Sequence, residues 1–209
     1  RADDTGGNGT TLAAARVTVD QSTPTQTITT PPQGAETNQN SLSTISGTAN
    51  DVSPGLVDRV ELRVKDVSVG PYWTGSSWTS TVETWINPGV STNPWSYPTA
   101  AWISPGKRFE VHARAVDKAG NVQTVYSTSP FRYDTILPTA GVGDPAHGTY
   151  RNALATISGT SDDAGGAGAS GVTAVKLRVR RNTDSYYWNG AVFAAAVTTI
   201  TPTGTPPRT

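Results

Sequence analysis

The chain has 209 residues, with 16 lysines and arginines balanced by 16 aspartates and glutamates. It contains no cysteine, which excludes disulfides, thiol nucleophiles and thiolate metal sites. It has no basic surplus to hold a phosphate backbone, which argues against nucleic acid, and no apolar run approaches the length of a bilayer span.

Taken in chain order, the apolar residues alternate with polar ones at the period of a strand. Gly6-Gly7-Asn8 marks a turn, and Pro24 to Pro32 a proline-bearing joint. In Val57 to Val64, Val60, Leu62 and Val64 share one face while Glu61 and Arg63 go to water. Tyr72-Trp73-Thr74-Gly75 reads as a hairpin turn. Trp73, Trp78, Trp85, Trp95 and Trp102 are large enough to fill a core that has no disulfide. Phe109, Val111, Ala113 and Ala115 line the inner face of a further strand, and Ala119-Gly120-Asn121 turns the chain after it. A second joint spans Pro138 to Pro145. Val172 to Val179 repeats the earlier alternation. Tyr187-Trp188-Asn189-Gly190 is a second hairpin turn, in which Asn-Gly suits the positive φ angles of a tight two-residue loop. No segment has helical periodicity, so almost no helix is expected.

These segments recur. Thr44-Ile45-Ser46-Gly47-Thr48 returns from Thr156, an interval of 112. Arg1-Ala2-Asp3-Asp4 has its counterpart in Arg114-Ala115-Val116-Asp117, an interval of 113, and Tyr72-Trp73 returns as Tyr187-Trp188, an interval of 115. One folding unit has been duplicated in tandem. The expected division is 1–24 as the late strands of one module, 25–138 as a whole module, and 139–209 as the early part of the next. The fold class is all-β: two-sheet antiparallel sandwiches in an extended, beads-on-a-string array. Proline at both ends of each joint limits bending. The two incomplete ends leave two alternatives: the chain continues as a longer array, or late strands of one copy complete the early strands of another. The first is favoured.

The ordered set Pro32, Gly34, Thr44 to Asp51, Val57 to Val64, Tyr72-Trp73, Gly106 to Asn121 and Tyr133 to Thr139 resembles the bacterial Ig-like repeat of large extracellular and cell-surface proteins. The resemblance covers nearly the whole chain. It implies a non-enzymatic, extracellular spacer, an adhesin stalk or a filament building block, whose partners are neighbouring modules and possible cell-surface glycans. The alternative it leaves open is an accessory carbohydrate-binding module of a secreted multidomain enzyme. It also implies calcium near the joints, with Asp51, Asp117, Asn121 and Asp134 as candidate ligands; Asp20, Asp4, Asp162 and Asp163 fall at matching places. Against that, each aspartate can bond the N–H groups of its own turn.

Tyr72, Trp73, Trp78, Tyr187 and Trp188 could stack on sugar rings, although cross-strand aromatic pairing beside a turn is the better explanation of them. The only histidines, His112 and His147, stand beside no recognisable nucleophile, and no cofactor or catalytic residue is assigned.

Overall fold

The computed structural model describes residues 2–3, 5–11, 13–87, 89 and 93–203. Among these the chain is all-β, with fifteen strands and one short 3-10 turn at Gly166–Gly168. No helix among the described residues is long and apolar enough to cross a membrane. The hairpin β1 (Ala2–Asp3) and β2 (Gly9–Thr10) turns at Gly7, whose φ is 83°.

The next nine strands form two facing sheets, a β-sandwich. They are β3 (Thr25–Thr30), β4 (Thr37–Gln39), β5 (Thr44–Asn50), β6 (Val57–Asp66), β7 (Tyr72–Trp73), β8 (Trp78–Ser80), β9 (Trp95–Pro98), β10 (Lys107–Asp117) and β11 (Ser127–Tyr133). One sheet has the order β4-β11-β10-β6-β7-β8 and the other β3-β5-β9. The pairings are antiparallel except β4 with β11.

The period-two pattern sets which side chains face inward. Val60, Leu62 and Val64 of β6 and Phe109, Val111, Ala113 and Ala115 of β10 are buried against Ile28, Ile45 and Trp95 of the smaller sheet. Each such large apolar side chain contributes about 1.5–3 kcal/mol, so stability is concentrated in this unit. Aromatic rings close one end of the core. Trp78 meets Trp73 at 5.4 Å and Trp102 at 6.2 Å, and Phe109 meets Phe131 at 5.5 Å, centroid to centroid. Tilted and edge-on rings at these distances add to the burial.

Gly47 explains part of the recurring Thr-Ile-Ser-Gly-Thr motif. A Cβ there would lie 1.9 Å from the Thr27 carbonyl and 2.6 Å from the Trp95 ring, so only glycine lets β3, β5 and Trp95 meet. At Gly159 a Cβ would lie 2.0 Å from the Gly141 carbonyl, the same backbone approach one repeat later.

Three expectations are corrected here. Arg63 does not go to water: it is 8% exposed, with its guanidinium 5.2 Å from the Trp85 ring and paired with Glu83. Trp85 does not enter the core. Its ring sits on the outer face of the large sheet, under the Arg114 guanidinium at 4.1 Å and edge-on to Tyr126 at 5.1 Å. The aromatic hairpins also have four-residue loops, not two-residue ones, because Trp73 pairs with Trp78 and Trp188 with Phe193. Asn189 does not supply the positive φ. Its Oδ1 accepts the N–H groups of Ala191 and Val192, while Gly190 takes φ 104°.

The remaining strands are β12 (Thr139–Asp144), β13 (Ser158–Asp162), β14 (Tyr187–Trp188) and β15 (Phe193–Ala194). Their pairings reproduce those of the sandwich. Thr139↔Asp162 and Val142↔Gly159 match Thr25↔Asn50 and Ile28↔Gly47, with the register shift at the same place. The bridge Leu177↔Ile200 matches Leu62↔Ile86, and Arg180↔Tyr187 matches Lys65↔Tyr72. Burial is not reproduced. Val142 is 56% exposed where Ile28 is 2%, and Val175, Leu177 and Val179 are half-buried where Val60, Leu62 and Val64 are sealed.

Candidate metal centre at the sandwich entrance

Three aspartates from distant parts of the sequence meet where the chain enters the sandwich. Asp20 lies in the segment before β3, Asp51 just after β5 and Asp117 at the end of β10. One carboxylate oxygen from each lies within 4.8 Å of the other two. Asp20 is held by the backbone N–H of Ser22, at 3.0 Å to Oδ1. Asp51 Oδ1 accepts the N–H of Val52 at 2.9 Å, while its Oδ2 is buried with no hydrogen-bond partner among the described residues. Gly55 shapes the space beside them. A Cβ there would lie 2.3 Å from Asp51 Oδ2 and 2.6 Å from Asp20 Oδ2.

Asp117 is 2% exposed. Burial works against its charge, but donors from Asn121, Gly120 and Ala119 outweigh that and hold its carboxyl below the ordinary 3.8. Asn121 gives its backbone N–H to Asp117 Oδ1 and its side-chain amide to Asp117 Oδ2, both at 2.7 Å, and the same amide donates to the Asp20 carbonyl at 3.2 Å.

Of the aspartates and asparagine named from sequence, Asp51 and Asp117 are therefore together. Asn121 braces the cluster as a donor to Asp117 and to the Asp20 carbonyl. Asp20 completes the triad. Asp4 lies outside the described residues.

Asp134 is not in this cluster. It belongs to a second one at the opposite end of β10, because it is the counterpart of Asp20 one repeat later. Its Oδ1 accepts the N–H of Ile136 at 2.9 Å and its Oδ2 the N–H of Ser170 at 2.7 Å. Burial again opposes the charge, yet these donors, the Ser170 hydroxyl and the neighbouring Asp163 carboxyl hold Asp134 below its ordinary range. Asp163, the counterpart of Asp51, is 5% exposed. Its Oδ2 accepts the N–H of Gly171 at 2.6 Å, and its Oδ1 is buried without a partner among the described residues. The pairs Asp20–Asp51 and Asp134–Asp163 thus stand in the same relation, each with an unpartnered buried oxygen on the second member. Asp162, one residue earlier, is exposed and pairs with Thr139 in β12–β13.

The chemistry of the first cluster is that of a hard cation. Two like charges about 4 Å apart repel by about 1 kcal/mol in water and about 4 kcal/mol at a protein surface. A divalent cation that takes six to eight oxygens removes that repulsion. Asp20, Asp51 and Asp117 would supply the charged part of such a shell, and the unpartnered Asp51 Oδ2 fits this role.

The aromatic candidates divide. Trp73 is 3% exposed, and its indole N–H donates to the Tyr97 hydroxyl at 3.1 Å, so its ring packs in the core and offers no face to a sugar. Trp78 is half-buried and donates to the Trp102 carbonyl at 3.1 Å. Tyr72 lies on the outer side with Lys65 over its ring at 5.4 Å. Tyr187 and Trp188 are half-buried, with Trp188 against Phe193 at 5.3 Å. These five residues do not form one flat platform. His112 pairs with Glu110 and the Thr128 hydroxyl on the outer face of the large sheet, and His147 is exposed.

Sequence reasoning placed Asp20 only as an equivalent of other aspartates, not as a ligand. Its signal was available: it precedes the Pro24 joint as Asp134 precedes Pro138. Comparison with family models, curated proteins and solved structures finds no match to this chain.

Proposed function

We propose that this chain is a non-enzymatic structural segment of a long extracellular or cell-surface bacterial protein. In this reading it is built from tandem Ig-like sandwiches that act as a stalk or filament element, with joints stiffened by calcium. The observation that carries the reading is the convergence of Asp20, from the segment leading in, on Asp51 and Asp117 at the sandwich end. A carboxylate from the joint thereby stands beside two from the body it precedes, and the Asn121 amide holds the Asp20 carbonyl. Asp134 and Asp163 repeat the arrangement at the other end of β10. That strand has eleven residues, so at about 3.3 Å per residue the two joints stand roughly 35 Å apart. A unit bearing its joints at opposite ends passes load along its strands.

Against the opposing effect of burial, hydrogen bonds from Asn121, Gly120 and Ala119 hold the Asp117 carboxyl below its ordinary range, which supports its use as a charged ligand at the first joint. The buried Trp73 counts against the carbohydrate-binding alternative.

The test is thermal melting during a calcium titration. A rise in Tm with calcium in the parent chain, absent from Asp51→Asn, is the expected outcome. Asp51→Asn should also melt higher than the parent in chelator, because it removes one repelling charge. An unchanged Tm at saturating calcium would remove the joint from the account. Binding to a polysaccharide panel that is lost in Trp78→Ala would replace the spacer reading with the carbohydrate one.

A further inference from the structure

The half-sealed segment 172–179 makes isolated bridges on one side only, at Leu177 and within one residue of its end at Arg180, and the sandwich shows what lies along the matching segment on the other side. In the complete unit, β10 lies along β6 with Val111 opposite Val64, Ala113 opposite Leu62 and Ala115 opposite Val60. One repeat later Val175, Leu177 and Val179 stand where Val60, Leu62 and Val64 stood. The bridges Leu177↔Ile200 and Arg180↔Tyr187 reproduce the far side of β6 along this segment. Among the described residues no strand lies on its near side, where β10 would be. Between it and β12–β13 opens a groove of about 600 Å³ lined by Val142, Ile157, Val175 and Leu177. A backbone segment of alternating apolar residues, bridged on one side and beside an apolar groove, can take up an added strand on the other.

We propose that this edge receives a β-hairpin of the β10–β11 pattern, paired antiparallel to 172–179, and that the received hairpin differs from β10 in charge at one position. In the complete unit Arg114 lies opposite Glu61, with Nη2 2.7 Å from its carboxylate. The residue in the place of Glu61 is Lys176. An exact copy of β10 would set Arg114 against Lys176, and like charges directly opposite destabilise a sheet. The preferred occupant therefore carries an acidic residue there. Its inner face keeps the Phe-x-Val-x-Ala-x-Ala pattern, which fills the groove. This inference rests on the matched registers and not on the reading of the chain as a spacer.

The test adds synthetic peptides of residues 104–134 to the 209-residue chain and follows binding by titration calorimetry. The expected result is saturable binding, at least about threefold tighter for the Arg114→Glu peptide than for the unaltered one. Binding should be lost when Leu177→Lys is placed in the chain. Leu177 is only half-buried, and an unchanged circular dichroism spectrum checks that the variant keeps its fold. Register is read by cross-linking. The chain has no cysteine, so Arg178→Cys should form a disulfide with a His112→Cys peptide, its opposite number, and not with an Ala119→Cys peptide. No binding, binding indifferent to Leu177→Lys, or preference for arginine over glutamate at position 114 would overturn the proposal. So would a chain already dimerised through this face, seen as a dimer that Leu177→Lys dissociates.

Discussion

Single residues carry contacts that the sequence marks without explaining. Gly47 recurs as Gly159, so its importance is visible in the repeat. Its cause is not, because the atoms that forbid a Cβ belong to Thr27 and Trp95, far away in the chain. Gly47→Ala must push β3 or Trp95 aside and is expected to lower stability by about 1–3 kcal/mol. Trp95→Ala, which empties a fully sealed site, is expected to cost about 3–5 kcal/mol. Urea unfolding followed by tryptophan fluorescence reads both. If Gly47→Ala unfolded like the parent, the close approach would have no energetic weight. The tryptophans show the limit of residue-level reading. Trp73, Trp95 and Trp102 fill the core as expected, while Trp85 does not. It stands in a stretch without strand alternation, so nothing in its neighbours tells inside from outside. What holds it outside is a guanidinium contributed by β10.

Strands were the most legible elements, because the inward face of β6 and of β10 follows from alternation alone. Loops were less so. The aromatic turns have the expected glycine with positive φ but two more residues than Asn-Gly suggests, since the Asn189 side chain caps the loop in place of its backbone. The joint loops were legible in residue type and not in partnership. Asp134 was grouped with Asp51 and Asp117, but β10 separates them by its full length. The aspartates at both ends make stability depend on acid. Asp117 and Asp134 have folded-state values below the ordinary 3.8. A group lowered on folding stabilises the fold above its unfolded value, and that contribution is lost as the pH falls through the folded value. In chelator, the melting temperature is therefore expected to fall as the pH drops below about 4, and less steeply in Asp134→Asn. A Tm that rose continuously down to pH 3 would show that repulsion among the carboxylates outweighs their hydrogen bonds.

At the scale of the molecule, the repeat is the feature that sequence and structure share. The β3–β5 pairing with its register shift, the bridge from Leu62 to Ile86 and the pairing of Lys65 with Tyr72 occur in 25–86 and again in 139–200. Sequence comparison within one chain could find that because the motif residues are the ones that set the register. It could not foresee that the later copy leaves its apolar residues half-exposed, since burial depends on neighbours that repetition alone does not supply. A spacer is a mechanical claim, and its central element is a sandwich loaded between joints at opposite ends. Single-molecule force extension tests it most directly. Stretched to about 3.6 Å per residue, the unit from Thr25 to Asp134 should release roughly 360 Å of contour length in one discrete rip. Gradual extension without a rip, or a rip far shorter than that, would contradict the account.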